Sequence, residues 1–331
     1  MISIKRSKLS VRALFAALLA LVLVLGIAAC GSSNDNSTST SAGGGGGQIV
    51  SNPKNGKVTL TIGSKNFTEQ IILGEIYSQA LQAAGYKVDK KLDLGSETVA
   101  LAALKNGQIS GYPEYTSTAL TSFFGVQPEQ VPSSPQQAYQ ESKADFEKQG
   151  LTAFPPTPFA SANAVGTLKK TADKLGLKNV SDLTGKSQNL TLYGSPECRQ
   201  RVDCLLGLEN GYGLKFKKFV PVDIGLRYTV LDKGQADLSI LFTTDAQLAA
   251  PQDKYVILAD DKHVFPAGNV IFVTDQSVAK KAGPDYEKTI TQVQSGLTTK
   301  AMQELDARVD IDHQQPADVA KQYLKAAGYI G

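Results

Sequence analysis

Tryptophan is absent from this 331-residue chain, and histidine, methionine and cysteine number only two, two and three. His263 and His313 lie far apart in sequence, and neither neighbours a cysteine. A zinc site built on closely spaced His and Cys therefore has no sequence basis, and the HExxH pattern of zinc peptidases is missing. Also missing are the GxSxG elbow that exposes a nucleophilic serine and the Gly-rich loop that cradles nucleotide phosphates. Glu114 and Asp245 are the carboxylates one would pair for acid–base work, but that chemistry needs a raised pKa for which the sequence offers no sign. These gaps point away from an enzyme: no catalytic residue, metal or cofactor is assigned. The missing tryptophan also means that ligand binding has to be followed by heat instead of intrinsic fluorescence.

Long apolar runs are scarce as well. The single one is Ala13–Ala29, preceded by Lys5, Arg6, Lys8 and Arg12 and closed by Ile27-Ala28-Ala29-Cys30-Gly31. The small residues before the cysteine read as a lipobox, which makes 1–29 a lipoprotein signal peptide and Cys30 the lipidated residue. The run is almost long enough to span a bilayer, so a retained anchor is the alternative. Cleavage removes four positive charges and no acid, taking the formal net charge from +3 to −1. The basic balance therefore belongs to the signal and gives no ground for nucleic-acid binding. Residues 30–56, which include SSNDNSTSTSAGGGGG, carry almost no large apolar side chain and read as a flexible, lipid-anchored tether. Beyond them no second long run occurs, so a soluble, monomeric body held at the outer face of the cell membrane is expected. Apart from Cys30, only Cys198 and Cys204 remain, in PECRQRVDCL. In an oxidising compartment they suit a disulfide; the other reading, a metal pair, has no histidine nearby in sequence.

What the body does have is a stretch written twice. LKNGQISGYPEYTSTAL begins at Leu104, and LDKGQADLSILFTTDAQL begins 127 residues on, at Leu231. Gly107 pairs with Gly234, Gln108 with Gln235, Ser110 with Asp237, Tyr115 with Phe242 and Thr116 with Thr243. Each copy reads as a helix end, a glycine cap, a short strand, then an aromatic residue followed by hydroxyls. Aromatic faces hold cations and hydroxyls orient small polar ligands, so two similar lobes facing a shared cleft is the organising expectation.

Taken in order, KVTLTIG predicts a strand from Lys57 to Gly63, followed by a polar loop with Lys65 and a helix for which Thr68 is a candidate N-cap. Strand YKVDKKLDL, helix SETVALAALKNG and the first repeat copy continue a β-α-β-α-β succession that implies a mostly parallel sheet. LTAFPPTPF, with three prolines, reads as an extended crossing into a second lobe. NAVGTLKK, TLYGS and Lys217–Ile224 are its predicted strands, and HVFPAG is read as the return crossing ahead of NVIFVT. The remainder, from Gln276, is helical by pattern and is expected to pack on the first lobe. The divisions are 57–158 for the first part of lobe 1, 159–266 for lobe 2 and 267–331 for the return to lobe 1. Two crossings make a hinge.

The segments IGSKNFTEQIILGEIYSQALQAAGY, GYPEYTSTAL, GSPECRQRVDCLLGLENGYG, DIGLRYTVLDKGQADL and FTTDAQL, in this order, resemble the osmoprotectant substrate-binding proteins of ABC transporters. This is the glycine betaine, choline and carnitine binding family, and the resemblance spans Lys57 to Ile330. It implies an α/β, two-lobed periplasmic-binding-protein fold of type II, each lobe a mostly parallel sheet flanked by helices. It implies capture of a quaternary amine in an interlobe aromatic cage and delivery to separate ABC permease and ATPase subunits. The matching positions are Tyr115 and Thr118 from EYTST, Lys65 from SKNFTE, Arg201 from ECRQRVD and Tyr228 from GLRYTVL, with Phe242 before Thr-Thr-Asp. The resemblance assigns rings to the trimethylammonium group, and Lys, Arg and hydroxyls to a carboxylate when one is present. Arg199 is not separated from Arg201, either of which has Glu197 and Asp203 as pairing partners. Asp245 is as well suited to capping a helix as to touching ligand, and Tyr112 to core as to cage. Asn163 departs from the pattern, standing where betaine-binding relatives often carry Tyr. It makes one wall more polar and leaves open a different polar solute such as a polyol. A ligand-sensing surface lipoprotein that feeds no transporter is the other alternative.

Overall fold

The computed structural model describes residues 47–249 and 253–331; the expected signal peptide, Cys30 and most of the expected tether lie outside the described residues. Among the described residues eleven strands run in chain order: β1 Thr59–Gly63, β2 Lys87–Lys91, β3 Gly111–Tyr115, β4 Leu151–Phe154, β5 Ala160–Ser161, β6 Asn163–Leu168, β7 Thr191–Gly194, β8 Lys218–Pro221, β9 Leu238–Phe242, β10 Tyr255–Ile257 and β11 Gly268–Asp275. They form two sheets, one ordered β2-β1-β3-β11-β4 with β5 also on β11, the other β10-β6-β9-β7-β8.

Both sheets are mixed in the same way. In the first, β1 is parallel to β2 and β3, while β11 is antiparallel to β3, β4 and β5. In the second, β7 is parallel to β8 and β9, while β6 is antiparallel to β9 and β10. Each sheet is thus mostly parallel with one reversed strand, and that strand is the one the chain enters immediately after changing lobes. A segment arriving from the facing lobe comes in at the cleft end of the sheet, so it has to run against the strands whose carboxyl ends point there.

The repeat is real in three dimensions. Gly107 and Gly234 take nearly the same left-handed conformation, with φ of 67° and 66°, where glycine escapes the Cβ clash. Ser110 Oγ accepts from the Thr61 amide at 2.9 Å, and Asp237 Oδ2 accepts from the Thr191 amide at 2.8 Å. The carbonyls of the same two residues accept from Thr274 at 2.7 Å and Thr167 at 2.6 Å, threonines on the two reversed strands. Each copy therefore stitches a parallel neighbour to the reversed strand, and β3 and β9 end with Tyr115 and Phe242 at corresponding places.

Helices cover the sheets. Thr68–Ala83 buries Ile72, Leu73, Ile76 and Leu81 with the C-terminal helices Pro284–Gln294, Thr299–Asp310 and Pro316–Ala326, which supply Ile290, Val293, Met302, Leu305, Val319 and Leu324. The tail thus packs on the first lobe. The second lobe has its own core around Val165, Leu192, Leu208, Leu238 and Ile240. Among the described residues no helix is long and apolar enough to cross a membrane.

Three boundaries read from the sequence are corrected. The last residues of the tether are built into the body: Ile49 is buried and its amide donates to the Tyr329 carbonyl, while Asn52 and Asn55 both donate to Asp285. A single apolar side chain plus two amide-bearing ones suffice there because the receiving surface is already ordered. The proline-rich segment LTAFPPTPF is not the crossing. Thr157 exchanges hydrogen bonds with Val270, and Asn269 donates to the carbonyls of Thr157 and Phe159, so this stretch follows β11 within lobe 1. The chain changes sheets at Ala162, between β5 and β6. Thr68 is not the cap of its helix: Phe67 is, in extended conformation, and the Thr68 hydroxyl donates to Asp310 at 2.6 Å. The return crossing lies near Pro266, and glycine is required just after it. A Cβ on Gly268 would come within 2.7 Å of the Ser117 amide nitrogen.

Candidate functional site

The carboxyl ends of β1, β3, β7 and β9 converge between the lobes on a cleft with a cavity volume of about 80 Å³, the usual place for a ligand in open α/β sheets. Lobe 1 contributes Lys65 and Phe67 from the β1 loop, Glu97 from the first turn of Glu97–Lys105, and Tyr115, Ser117 and Thr118 from the end of β3. Lobe 2 contributes Asn163, Arg201, Asp203, Arg227, Phe242 and, beside the disulfide, Ser195 and Glu197. Cys198 and Cys204 are disulfide-bonded, as read from the sequence, and close the short loop that carries Arg201 and Asp203. Among the described residues no group of three or more His, Cys, Asp or Glu is placed to hold a metal ion.

Three rings gather at one end. Phe67 stacks with Tyr115 at a centroid distance of 6.3 Å and meets Phe242, from the opposite lobe, at 5.2 Å. Ring faces carry negative electrostatic potential, and such an arrangement suits a cation that offers no hydrogen to donate. The protein's own cations lie nearby: Lys65 Nζ is 4.6 Å from the Tyr115 centroid, and the Arg227 guanidinium 4.0 Å from that of Phe242.

The cations of the cleft are all paired. Buried Lys65 donates to Glu114, which is fully buried and also takes the Tyr112 hydroxyl and the Tyr115 amide. Arg227 pairs with Asp245 at 2.9 Å. Arg201 donates through Nε to Asp203 at 2.7 Å and through Nη2 to the same carboxylate, and reaches across the lobes to Glu97 at 3.5 Å and Thr118 at 3.5 Å. Burial by itself would lower the Arg201 pKa, but Asp203 and Glu97 hold it above its ordinary value. Below the rings, burial pushes the Glu69 carboxyl up to about 7 despite hydrogen bonds from Tyr115 and Thr244.

Of the residues singled out from sequence, Lys65, Tyr115, Thr118, Asn163, Arg201 and Phe242 line this cleft together. Tyr228 does not. It borders an adjoining cavity, its hydroxyl donating to Asp245 at 2.9 Å and its ring edge-on to Tyr255. Arg227 and Tyr228 are consecutive on one helix, roughly 100° apart around its axis, so only one faces the cleft, and it is the arginine. Asn163 donates to the Asp203 carbonyl at 2.9 Å, steadying the disulfide loop, and is paired with Phe242 across β6 and β9. Arg201 faces the cleft, whereas Arg199 lies over the Phe219 ring. Asp245 does not line this cleft: it ties together Arg227, Tyr228 and the Phe242 amide. Tyr112 is core.

Sequence reasoning missed Phe67, Glu97 and Arg227 as lining residues. Phe67 sits inside SKNFTE and could have been found as the aromatic flanking Lys65; Glu97 and Arg227 carry no local signal, because partners from distant segments bring them there.

A family model described as the substrate binding domain of ABC-type glycine betaine transport system matches residues 58–326. A glycine-betaine-binding protein of Pseudomonas aeruginosa is 35% identical over 278 residues, covering 81% of this chain and 87% of that protein. The carnitine transport binding protein OpuCC of Listeria monocytogenes is 29% identical over 280 residues, covering 83% and 89%. Among solved structures, that of a glycine betaine/carnitine/choline ABC transporter component aligns with a TM-score of 0.62 at 28% identity, over 81% of this chain and 98% of the other.

Proposed function

This chain belongs to the family of substrate-binding domains of ABC-type glycine betaine transport systems, and from that premise we propose that its cleft captures a quaternary amine of the glycine betaine, choline or carnitine class. It is a substrate-binding protein and not an enzyme, with the two-lobed fold of type II periplasmic binding proteins, and proteins of this family work outside the cytoplasm. The observation that carries the finer reading is the meeting of Phe67 and Tyr115 from one lobe with Phe242 from the other. A trimethylammonium group cannot be held by hydrogen bonds, so selectivity has to come from ring faces, each contributing roughly 0.5–2 kcal/mol once water is excluded.

The cycle needs no chemistry on the ligand. Rings on facing lobes can both touch one small cation only when the lobes are together, so a ligand that engages both favours closure, and closure presents a distinct surface to a permease. The permease and ATPase are separate subunits in this reading, and Cys30 carries the lipid that keeps the body at the membrane. Separation of a Cys30→Ser variant from the membrane fraction tests that anchor.

Calorimetric titration with glycine betaine, choline, carnitine, proline and a neutral polyol tests the ligand class. Heat with at least one quaternary amine and none with the polyol is the expected result. Heat with the polyol alone would overturn the cage and favour the polar wall at Asn163.

A further inference from the structure

We propose that the cavity adjoining the cleft, bordered by Tyr228, is a second binding site, for a small aliphatic primary amine. The site does not depend on which solute the cleft captures, and it calls for a cation of the opposite kind, one that donates hydrogen bonds.

The cavity measures about 250 Å³, room for several heavy atoms where one water needs roughly 10–15 Å³. Its lining carries five carboxyl groups, Glu69, Asp93, Asp245, Asp306 and Asp310, against one cation, Arg227. That cation is taken, since Arg227 pairs with Asp245 at 2.9 Å. Asp310 accepts from the Thr68 hydroxyl at 2.6 Å, Glu69 Oε1 accepts from Tyr115, and Asp93 is exposed to solvent. Two carboxylate oxygens, Glu69 Oε2 and Asp306 Oδ1, have no hydrogen-bond partner among the described residues, although each residue is only 4% exposed. From the second lobe, Gln247 Oε1 is a third buried acceptor without a partner among them.

Water can satisfy an orphan acceptor, but it supplies no charge, and a buried carboxylate needs a cation beside it. Burial raises both carboxyls, and the charge of Glu69 raises Asp306 further; a cation placed beside them offsets this. A metal ion suits the place poorly, because among the described residues no three acidic groups are set to hold one. A primary ammonium suits it well. It brings the charge together with three N–H donors for the orphan acceptors, while Phe67, Ile71 and Tyr228 offer apolar surface to its alkyl chain. A quaternary amine has no N–H and would leave the same acceptors unmatched.

Calorimetric titration with n-butylamine at pH 8, at constant ionic strength in potassium chloride, tests the site. Tetramethylammonium, a cation of similar size with no N–H, is added in excess in a parallel titration to compete for the cleft. Heat from n-butylamine that persists in excess tetramethylammonium is the expected result, with affinity at least tenfold lower in Asp306→Asn. Gln247 is only half-buried, so Gln247→Ala, also expected to weaken binding, decides the matter if the Asp306 variant does not fold. Absence of heat from n-butylamine overturns the proposal. So does heat abolished by tetramethylammonium, which would put the amine in the cleft. An affinity unmoved by Asp306→Asn, or by Gln247→Ala in its place, would put the amine elsewhere on the protein and overturn it as well.

Discussion

The ammonium of Lys65 stands 4.6 Å from the centre of the Tyr115 ring while it donates to Glu114, the residue before Tyr115 on β3. One lysine thereby packs against the Tyr115 ring and neutralises the carboxylate behind it. Its pairing is a matter of stability as much as recognition. Lys65→Met leaves Glu114 charged in a site with no exposure and is expected to lower unfolding free energy by about 3–5 kcal/mol. The double variant with Glu114→Gln recovers at least about 1 kcal/mol of this in urea titrations; no recovery would mean that the two groups act independently.

Phe67 touches both Tyr115 and Phe242 and so joins the lobes at the ring end of the cleft. Phe67→Ala is expected to weaken binding of the preferred quaternary amine at least about tenfold, the size of a desolvated ring face. The same loss is expected for Phe242→Ala. Calorimetry at matched stability checks both, and unchanged affinity in either would remove that ring from the cage.

The Cys198–Cys204 bond closes the loop that carries Arg201 and Asp203. Loop-closure entropy for so short a ring makes the bond worth about 2 kcal/mol, and replacing both cysteines by serine is expected to lower stability by that amount. Affinity should fall as well, because Asn163 grips the Asp203 carbonyl at 2.9 Å and the loop would otherwise sample other positions. Full affinity in a destabilised double-serine variant would confine the bond to a structural role.

Glu69, buried under Tyr115, has its pKa raised by burial from an ordinary 4.5 to about 7. Tyr115 and Thr244 donate to it, Asp245 and Lys65 act on it from the facing elements, and Asp306 nearby is itself raised by burial and by Glu69. Between pH 4.5 and about 7 the folded form keeps a proton that the unfolded form has lost. The stabilisation is therefore complete below that window and disappears as pH rises through it. Denaturation midpoints are expected to be higher at pH 5 than at pH 8, and Glu69→Gln should reduce the difference. A difference unaffected by the substitution would assign the pH dependence elsewhere.

Much of this protein is legible in one dimension because its determinants are local. Strand alternation in β1, the glycine caps of the repeat, helical periodicity in the tail and the cysteine pair each depend on neighbours a few residues away. The repeat went further, placing Tyr115 and Phe242 at equivalent strand ends. Segments that resemble a known family added Lys65, Thr118 and Arg201 to the cleft.

Tertiary structure alone decided the rest, and the reason is that these choices rest on energies between distant parts of the chain. Whether Arg227 or Tyr228 faces the rings depends on the phase of a short helix against Asp245 and Phe242. Whether Ile49 and Asn52 are tether or body depends on Tyr329 and Asp285, near the other end of the sequence. That Arg201 is already claimed by Glu97 follows only from the approach of the two lobes, since more than a hundred residues separate them. Periodicity and spacing determine which elements form; charge pairing and packing across the cleft determine what those elements can hold.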